Sequence, residues 1–213
     1  MKTAQRVLAT ALDLFNQHGE TSVTSVDIAN EMDISPGNLY YHFKGKELIV
    51  DALFDLHQRQ LNTLLDASQP EQLDLEEQFY YVYLLLEKIH LYRFIYRSPM
   101  DLMEKYPAVA KGLGKIARRL EATIERILSV NVERHALAIG DDELKPLVES
   151  IAIVMLQSTQ YYQLKQHFDD EHQIYSALAL LLTLLGPRMQ VPIENLSTLQ
   201  QSIAMHKFTH SEE

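Results

Sequence analysis

Hydrophobic residues recur at helical spacing along nearly the whole chain, and no segment shows the sustained alternation that is typical of β-strands. Val7, Ala11, Leu14 and Phe15 share one face of a first predicted helix. Gly19 follows at a position that suits the C-terminal end of a helix. Comparable patterns continue toward the end of the chain, so the sequence predicts an all-α fold.

Two short helices joined by a tight turn are predicted within residues 24–43. Thr24 and Asp27 have the spacing of a capping box at the start of the first helix. Ser35 is a natural cap for the second helix, which begins at Pro36, because proline is pre-organised for the first helical position. A second helix presented in this way fits the major groove of DNA, which is about 12 Å wide. The alternative is an ordinary pair of amphipathic helices in a bundle.

Polar residues around this turn are the candidates for DNA contact. Gly37 has no side chain, so the backbone there can approach a duplex closely. The N-termini of both helices present N–H groups, which suit phosphate, and Lys46 would add a positive charge. The candidates near the outer face of the second helix are Ser35, Gly37, Asn38, Tyr41 and His42, and those for phosphate are Thr24, Ser25 and Lys46.

A longer run around the turn resembles the signature of a known family. Ile28-Ala29 is followed by a continuous run from Ile34 to Leu48, which contains Leu-Tyr-Tyr-His-Phe at residues 39–43. On these residues the chain resembles the TetR family of bacterial transcriptional regulators, over about residues 5–55. The resemblance implies an N-terminal helix-turn-helix domain of three helices, followed by a helical bundle that binds a ligand and dimerises.

The resemblance also implies a function for these residues. It implies a homodimer that binds a near-palindromic double-stranded DNA operator, usually as a repressor that a small molecule releases. It further implies contacts to bases or nearby backbone from residues 35–38 and Tyr41, and contacts to phosphates from Thr24, Tyr40, His42 and Lys46. The full predicted DNA-contacting set is Thr24, Ser25, Ser35, Pro36, Gly37, Asn38, Tyr40, Tyr41, His42, Lys44 and Lys46.

Two features depart from the pattern of the family. Asp33 occupies the turn position where glycine is common. Aspartate tolerates a left-handed backbone better than most residues, so we expect the turn to be intact. The second departure is a shortage of arginine, which predicts a shallower dependence of DNA binding on salt.

The charge balance argues against a nucleic-acid partner. The formal net charge is −10, and a protein that is acidic as a whole is repelled by DNA. Residues 1–46 hold four basic and five acidic residues, so most of the surplus acid lies in residues 47–213. The N-terminal segment is nonetheless not basic.

Residues 1–46 are predicted to form the DNA-binding domain, and residues 47–213 a helical domain for effector binding and dimerisation. The helix predicted from Tyr175 is apolar on nearly all sides as far as Gly186, and residues 147–163 carry a second wide apolar surface. Two such helices from each chain would make a four-helix interface between two copies. The alternative is that both helices lie in the core of a monomer.

A small organic effector is expected to bind among the helices of this second domain. One predicted helix, over about residues 74–97, carries polar and aromatic side chains along one broad side. The alternative is that aromatic and methionine residues at helical spacing only fill the core. The candidate effector-binding residues are Tyr83, Glu87, His90, Phe94, Met155, Thr159 and Tyr162.

The chain has no cysteine, which excludes disulfides, thiolate catalysis and zinc–thiolate sites. No secretory signal is evident. The longest apolar stretch, from Ala177 to Gly186, is too short to span a bilayer. We therefore expect a cytoplasmic protein without a membrane partner.

Histidine pairs offer a weak indication of metal binding. His167 and His172 flank an acidic run, and His206 and His210 are four residues apart. The first arrangement is more typical of a solvated loop, and the second pair lies near the chain terminus. We predict no metal site.

An enzyme that uses the helical bundle is a further alternative. Glu87 and His90 could act as an acid–base pair or as half of a carboxylate-bridged metal site, which requires a second Glu-x-x-His that the sequence lacks. The sequence also lacks a phosphate-binding glycine loop and a Gly-x-Ser-x-Gly elbow. We therefore predict no enzyme activity and no cofactor. A third possibility is a protein-interaction module that does not bind DNA.

Overall fold

The computed structural model of the chain describes residues 2–67, 69–166, 170–190 and 193–205. Within these ranges all regular secondary structure is α-helix or 3₁₀-helix, apart from one isolated antiparallel bridge between Leu137 and Met189. The predicted all-α fold is confirmed. The helices are α1 (Thr3–His18), α2 (Ser25–Glu31), α3 (Pro36–His42), α4 (Lys46–Ala67), α5 (Leu75–Leu91), α6 (Phe94–Arg97), α7 (Pro99–Lys105), α8 (Pro107–Glu133), α9 (Asp141–Leu164), α10 (Asp170–Leu185) and α11 (Ile193–Ala204).

The chain divides into two compact units. The first unit comprises Met1–Gln60 and Leu91–Lys115, and the second comprises Leu61–His90 and Ile116–Glu213. Helices α4 and α8 therefore each contribute residues to both units. No helix in the described part of the chain is long and apolar enough to cross a membrane.

The first unit has a core of large side chains. Phe15 of α1 is fully buried, and its ring centroid lies 5.3 Å from that of Phe94. Helix α8 approaches α4 closely at Gly112, where an added Cβ atom would collide with the side chains of Phe54 and Gln58. This contact explains a glycine in the interior of a long helix, where it otherwise lowers helix stability.

The single helix predicted over residues 74–97 is wrong, because the structure ends α5 at Leu91 and begins α6 at Phe94. The buried side chain of Asn16 explains the break. Its amide nitrogen donates to the carbonyl oxygen of Leu91 at 2.9 Å, and its amide oxygen accepts from the N–H of Phe94 at 3.0 Å. Asn16 thus satisfies two main-chain groups that a continuous helix would have paired within itself.

The second unit is packed mainly by aliphatic side chains. Helices α9 and α10 pack against each other, and Ile151, Met155, Leu178 and Leu181 are buried. The residues after α8 are held by paired main-chain hydrogen bonds on either side of the Leu137 bridge. Helices α9 and α10, which were predicted to be widely apolar, each have one face in this core.

Candidate DNA interface

The turn between α2 and α3 is built from local main-chain hydrogen bonds. The N–H of Asp33 donates to the carbonyl of Asn30 at 3.1 Å, and the N–H of Ile34 donates to that of Ala29 at 3.0 Å. This pair of bonds is the Schellman arrangement at the end of a helix. Asp33 has a φ of 54°, so the expected left-handed aspartate is confirmed.

Side chains cap the first turns of both helices. The Thr24 hydroxyl accepts from the N–H of Asp27 at 3.2 Å and donates to its carboxylate at 2.6 Å. Hydrogen bonds to this carboxylate from the hydroxyl and the main-chain N–H of Thr24 hold the pKa of Asp27 below its ordinary value. Ser35 Oγ accepts from the N–H of Asn38 at 3.2 Å. The two predicted caps are confirmed, and each hydroxyl oxygen is already engaged within the protein.

Helix α3 presents most of its surface to solvent. Of its seven residues, Leu39 is the one that is buried. The side chains of Asn38 and His42 are exposed, and Tyr41 is 82% exposed. The ring of Tyr41 meets that of His42 edge-on, with centroids 5.2 Å apart. An exposed aromatic residue at the outer face of a capped helix is suited to contact a partner molecule.

The two lysines of the predicted DNA-contacting set have opposite environments. Lys44 is exposed. The ammonium of Lys46 donates to the main-chain carbonyls of Glu20 at 2.9 Å and Val23 at 2.8 Å, and lies 2.8 Å from a carboxylate oxygen of Glu20. An ammonium has three N–H donors, so all of them have partners inside the protein. A phosphate contact from Lys46 would require the loss of one of these bonds.

The predicted effector-binding residues are divided between the two units. Phe94 lies in the first unit, where it packs against Phe15. In the second unit, His90 Nδ1 lies 3.4 Å from Thr159 Oγ1. The ring centroid of Tyr83 lies 5.5 Å from that of Tyr175, and burial raises the pKa of Tyr83 to about 12. Of these side chains, the structure brings His90 and Thr159 together within the second unit, and it assigns Phe94 to the first.

A small apolar cavity of about 60 Å³ lies within the second unit. Its walls come mainly from aliphatic side chains of α5, α8, α9 and α10, and none of the seven predicted effector-binding residues lines it. Gln78 and Asn131 are its polar members, and the Asn131 amide nitrogen donates to Gln78 Oε1 at 2.9 Å. The sequence offered one clue that was missed, a glutamine and an asparagine at otherwise apolar positions of two helices.

Metal binding finds little support in the described residues, where no three His, Asp or Glu side chains are grouped as a metal site. His172 lies in this part of the chain. His167, His206 and His210 lie outside the described residues.

Two family models together match most of the chain. Residues 7–53 match the model described as bacterial regulatory proteins of the tetR family. Residues 56–193 match the TetR model described as a bacterial transcriptional repressor. The chain belongs to the TetR family of bacterial transcriptional regulators.

Solved TetR-family structures share the fold. A TetR-family transcriptional regulator from Marinobacter aquaeolei VT8 has a TM-score of 0.83 at 25% identity, over 95% of this chain and 99% of that one. A tetR-family regulatory protein from Rhodococcus RHA1 has a TM-score of 0.62 at 20% identity, over 87% of this chain and 97% of that one. The second likeness shows the fold alone.

A curated TetR-family relative resembles one part of the chain. The probable acrEF/envCD operon repressor of Escherichia coli K12 is 34% identical over 65 residues, which is 30% of this chain and 29% of that protein. The match thus spans less than a third of the relative's length. It supports the family but does not carry over the genes that the relative regulates.

Proposed function

We propose that this TetR-family chain is a dimeric DNA-binding repressor that a small-molecule effector releases from its operator in the cytoplasm. The single observation that supports it most is the exposed outer face of α3, held on the first unit by Leu39. In this proposal residues 1–46 read DNA, and residues 47–213 dimerise and bind the effector.

The proposed base contacts come from residues 35–38 and Tyr41. Phosphate contacts would come from Ser25, Tyr40, His42 and Lys44, and from Thr24 where its hydroxyl can be shared with the cap. Exposed positions suit both roles, because hydrogen-bonding groups must reach base edges or backbone oxygens. Lys46 is the least suited member of the predicted set, since its ammonium is fully engaged.

The proposed dimer uses the solvent-exposed sides of α9 and α10. Leu164 is 79% exposed at the end of α9, Ile153 is 62% exposed and Leu180 is 40% exposed. Apolar side chains on the surface of two neighbouring helices suit an isologous contact with a second copy. Light scattering on the wild-type protein and on Ile153→Glu tests this. We expect a dimer for the wild type and a shift toward monomer for the variant.

The proposed effector is uncharged and largely apolar, because the cavity has no charged residue in its walls. Asn131 supplies a hydrogen-bond acceptor, since its amide nitrogen is already used by Gln78 and Ile127. A cavity of about 60 Å³ is smaller than the roughly 150 Å³ that holds a benzene ring. Binding would therefore require the surrounding helices to move, which is a source of coupling to DNA release. The predicted set around Tyr83 and Thr159 remains a second candidate site.

The test of DNA binding begins with a duplex that the wild-type protein selects from a random-sequence pool. We expect Asn38→Ala and Tyr41→Ala each to weaken binding by about tenfold or more, because a base contact contributes about 1–3 kcal/mol. Met100→Ala removes another exposed side chain and serves as the control, with wild-type affinity expected. Retained sequence-specific affinity in both α3 variants would refute the assignment.

The proposal assigns no enzyme activity to the chain. Glu87 forms an ion pair with Lys88 at 3.0 Å, while His90 lies beside Thr159. The acid–base pair that Glu87 and His90 would need is therefore not supported by their contacts. The test is incubation of the protein with any compound that stabilises it, followed by analysis for conversion of that compound, and none is expected.

A further inference from the structure

A buried carboxylate lies beside the helix-turn-helix and joins three segments of the first unit. Glu20 is 5% exposed, in the short turn between α1 and α2. One of its carboxylate oxygens, Oε1, lies 2.8 Å from the Lys46 ammonium and 2.9 Å from that of Lys105, and it accepts from the Tyr106 hydroxyl. We call these four residues the Glu20 cluster.

The members of the Glu20 cluster come from distant parts of the sequence. Lys46 is the first residue of α4, Lys105 is the last residue of α7, and Tyr106 precedes α8. The start of α4 and the junction of α7 with α8 are therefore both tied to the loop that leads into α2. A displacement of any of these segments would break a bond to one buried oxygen.

The charges of the cluster favour an ionised Glu20. Burial acts to raise the pKa of Glu20, but hydrogen bonds from Lys46, Tyr106 and Lys105 outweigh it and leave the pKa below its ordinary value. Two ammonium groups at Oε1 offset part of the cost of removing the carboxylate from water, while Oε2 is buried without a hydrogen-bond partner among the described residues. Loss of one partner from a buried pair is strongly destabilising. The geometry is thus that of a fixed ionic contact in the protein interior.

Lys46 differs in this respect from Lys44, two residues earlier. The Lys46 side chain is 16% exposed and its three N–H donors point to two carbonyl oxygens and the Glu20 carboxylate. Lys44 is exposed to solvent. To bind the Lys46 ammonium, a DNA phosphate would have to compete with the Glu20 carboxylate that is already bound to it. No such competition arises at the exposed Lys44.

We propose that Glu20 and Lys46 are positioning residues for DNA binding, which fix the loop before α2 against the start of α4, and that Lys46 does not bind phosphate. The inference rests on the proposed DNA binding and adds which of the two lysines contacts the DNA. Lys44 then contributes a phosphate contact that Lys46 does not, and the Glu20 cluster determines how α2 and α3 are presented.

The test compares Lys46→Met with Lys44→Met on the duplex that the wild-type protein selects from a random-sequence pool. Affinity is measured over a series of salt concentrations. Each neutralised phosphate contributes about 0.9 to the magnitude of the slope of log affinity against log salt concentration. Loss of one phosphate contact in each protomer of a dimer therefore reduces this magnitude by about 1.8. We expect this fall for Lys44→Met. For Lys46→Met we expect binding weaker by about tenfold with the wild-type slope.

Two outcomes of this comparison would contradict the inference in different ways. A fall in slope for Lys46→Met that equals the fall for Lys44→Met overturns the positioning role alone, because Lys46 would then neutralise a phosphate. Failure of the wild-type protein to select any duplex overturns the proposed DNA binding and the inference with it.

Lys46→Arg keeps the charge and covers the case in which Lys46→Met does not fold. A phosphate ligand would tolerate arginine with nearly wild-type affinity. A planar guanidinium cannot reproduce the arrangement of one ammonium among two carbonyls and a carboxylate. We expect weaker binding by about tenfold with helical circular dichroism retained, and wild-type affinity in this variant overturns the inference.

A double variant measures whether Glu20 and Lys46 act together. If they form one positioning contact, the double variant that combines Glu20→Gln with Lys46→Met should lose little affinity beyond the larger of the two single losses. We expect its affinity for the duplex to lie within about threefold of that of the single variant that binds more weakly. Losses that simply multiply would show that the two residues act independently, which contradicts the proposal.

Discussion

The outer face of α3 and the cavity of the second unit satisfy their polar groups in different ways. On α3, the side chains of Asn38 and Tyr41 are exposed, so their hydrogen-bonding groups are open to solvent. In the second unit, Gln78 and Asn131 are buried and hydrogen-bond each other. A change on α3 should therefore alter binding with little effect on stability, and a change at the cavity should alter stability first.

The largest effect expected at neutral pH is on stability, at the cavity. Ile151 is buried and lines it. We expect Ile151→Ala to lower the free energy of unfolding by about 3 kcal/mol, because it removes buried methyl groups and enlarges a void. Urea unfolding measures the change, and Glu149→Ala, at an exposed position on the same helix, is the control. A change of less than about 0.5 kcal/mol for Ile151→Ala would contradict the packing described here.

Tyr41→Ala should show the opposite pattern. We expect operator affinity to fall by about 2 kcal/mol, in line with loss of one base contact. The free energy of unfolding should change by less than about 0.5 kcal/mol, because the side chain is exposed. Isothermal titration and urea unfolding on the same sample test both halves. An equal loss in stability would mean that Tyr41 is part of the core.

Two histidines of the first unit extend the comparison to pH. His57 is fully buried beside Tyr96, with Nε2 2.7 Å from the hydroxyl, and burial lowers the pKa of His57 to about 3. The unfolded chain binds this proton near pH 6.5. The contribution of His57 to stability should thus be unchanged above that pH and fall by about 1.4 kcal/mol per pH unit as the pH drops toward 3.

His57→Gln removes this titration, so its stability should fall less steeply than that of the wild type below pH 6.5. His42→Gln, the same substitution at an exposed position, is the control. Urea unfolding across the pH range distinguishes the two variants. Identical pH dependence in wild type and His57→Gln would show that His57 is not held neutral in the folded chain.

The smallest expected effect is at the turn. Asp33 has a left-handed backbone, which costs a residue with a Cβ atom about 1–2 kcal/mol but is tolerated by short polar side chains. We expect Asp33→Ala to lower stability by about 1 kcal/mol and Asp33→Asn to leave it nearly unchanged. Thermal unfolding of the two variants measures the difference, and equal stabilities would argue against backbone strain at this position.

The features that could be predicted from the sequence depend on residues close together in the chain. The Thr24 and Ser35 caps and the left-handed Asp33 each involve partners within six positions, so residue types and spacing are enough to identify them. The break after α5 depends on Asn16, more than 70 residues earlier. The engagement of Lys46 depends on the loop around Glu20, 26 residues earlier. Long-range partners of this kind leave no local pattern.

The use of a single buried residue to hold α3 has an evolutionary consequence. Leu39 is the one buried residue of α3, so the exposed residues of the helix can be exchanged with little effect on the core. With the proposed role of α3, gene copies descended from one ancestor could in this way diverge in the DNA sequences they bind while they keep the same scaffold.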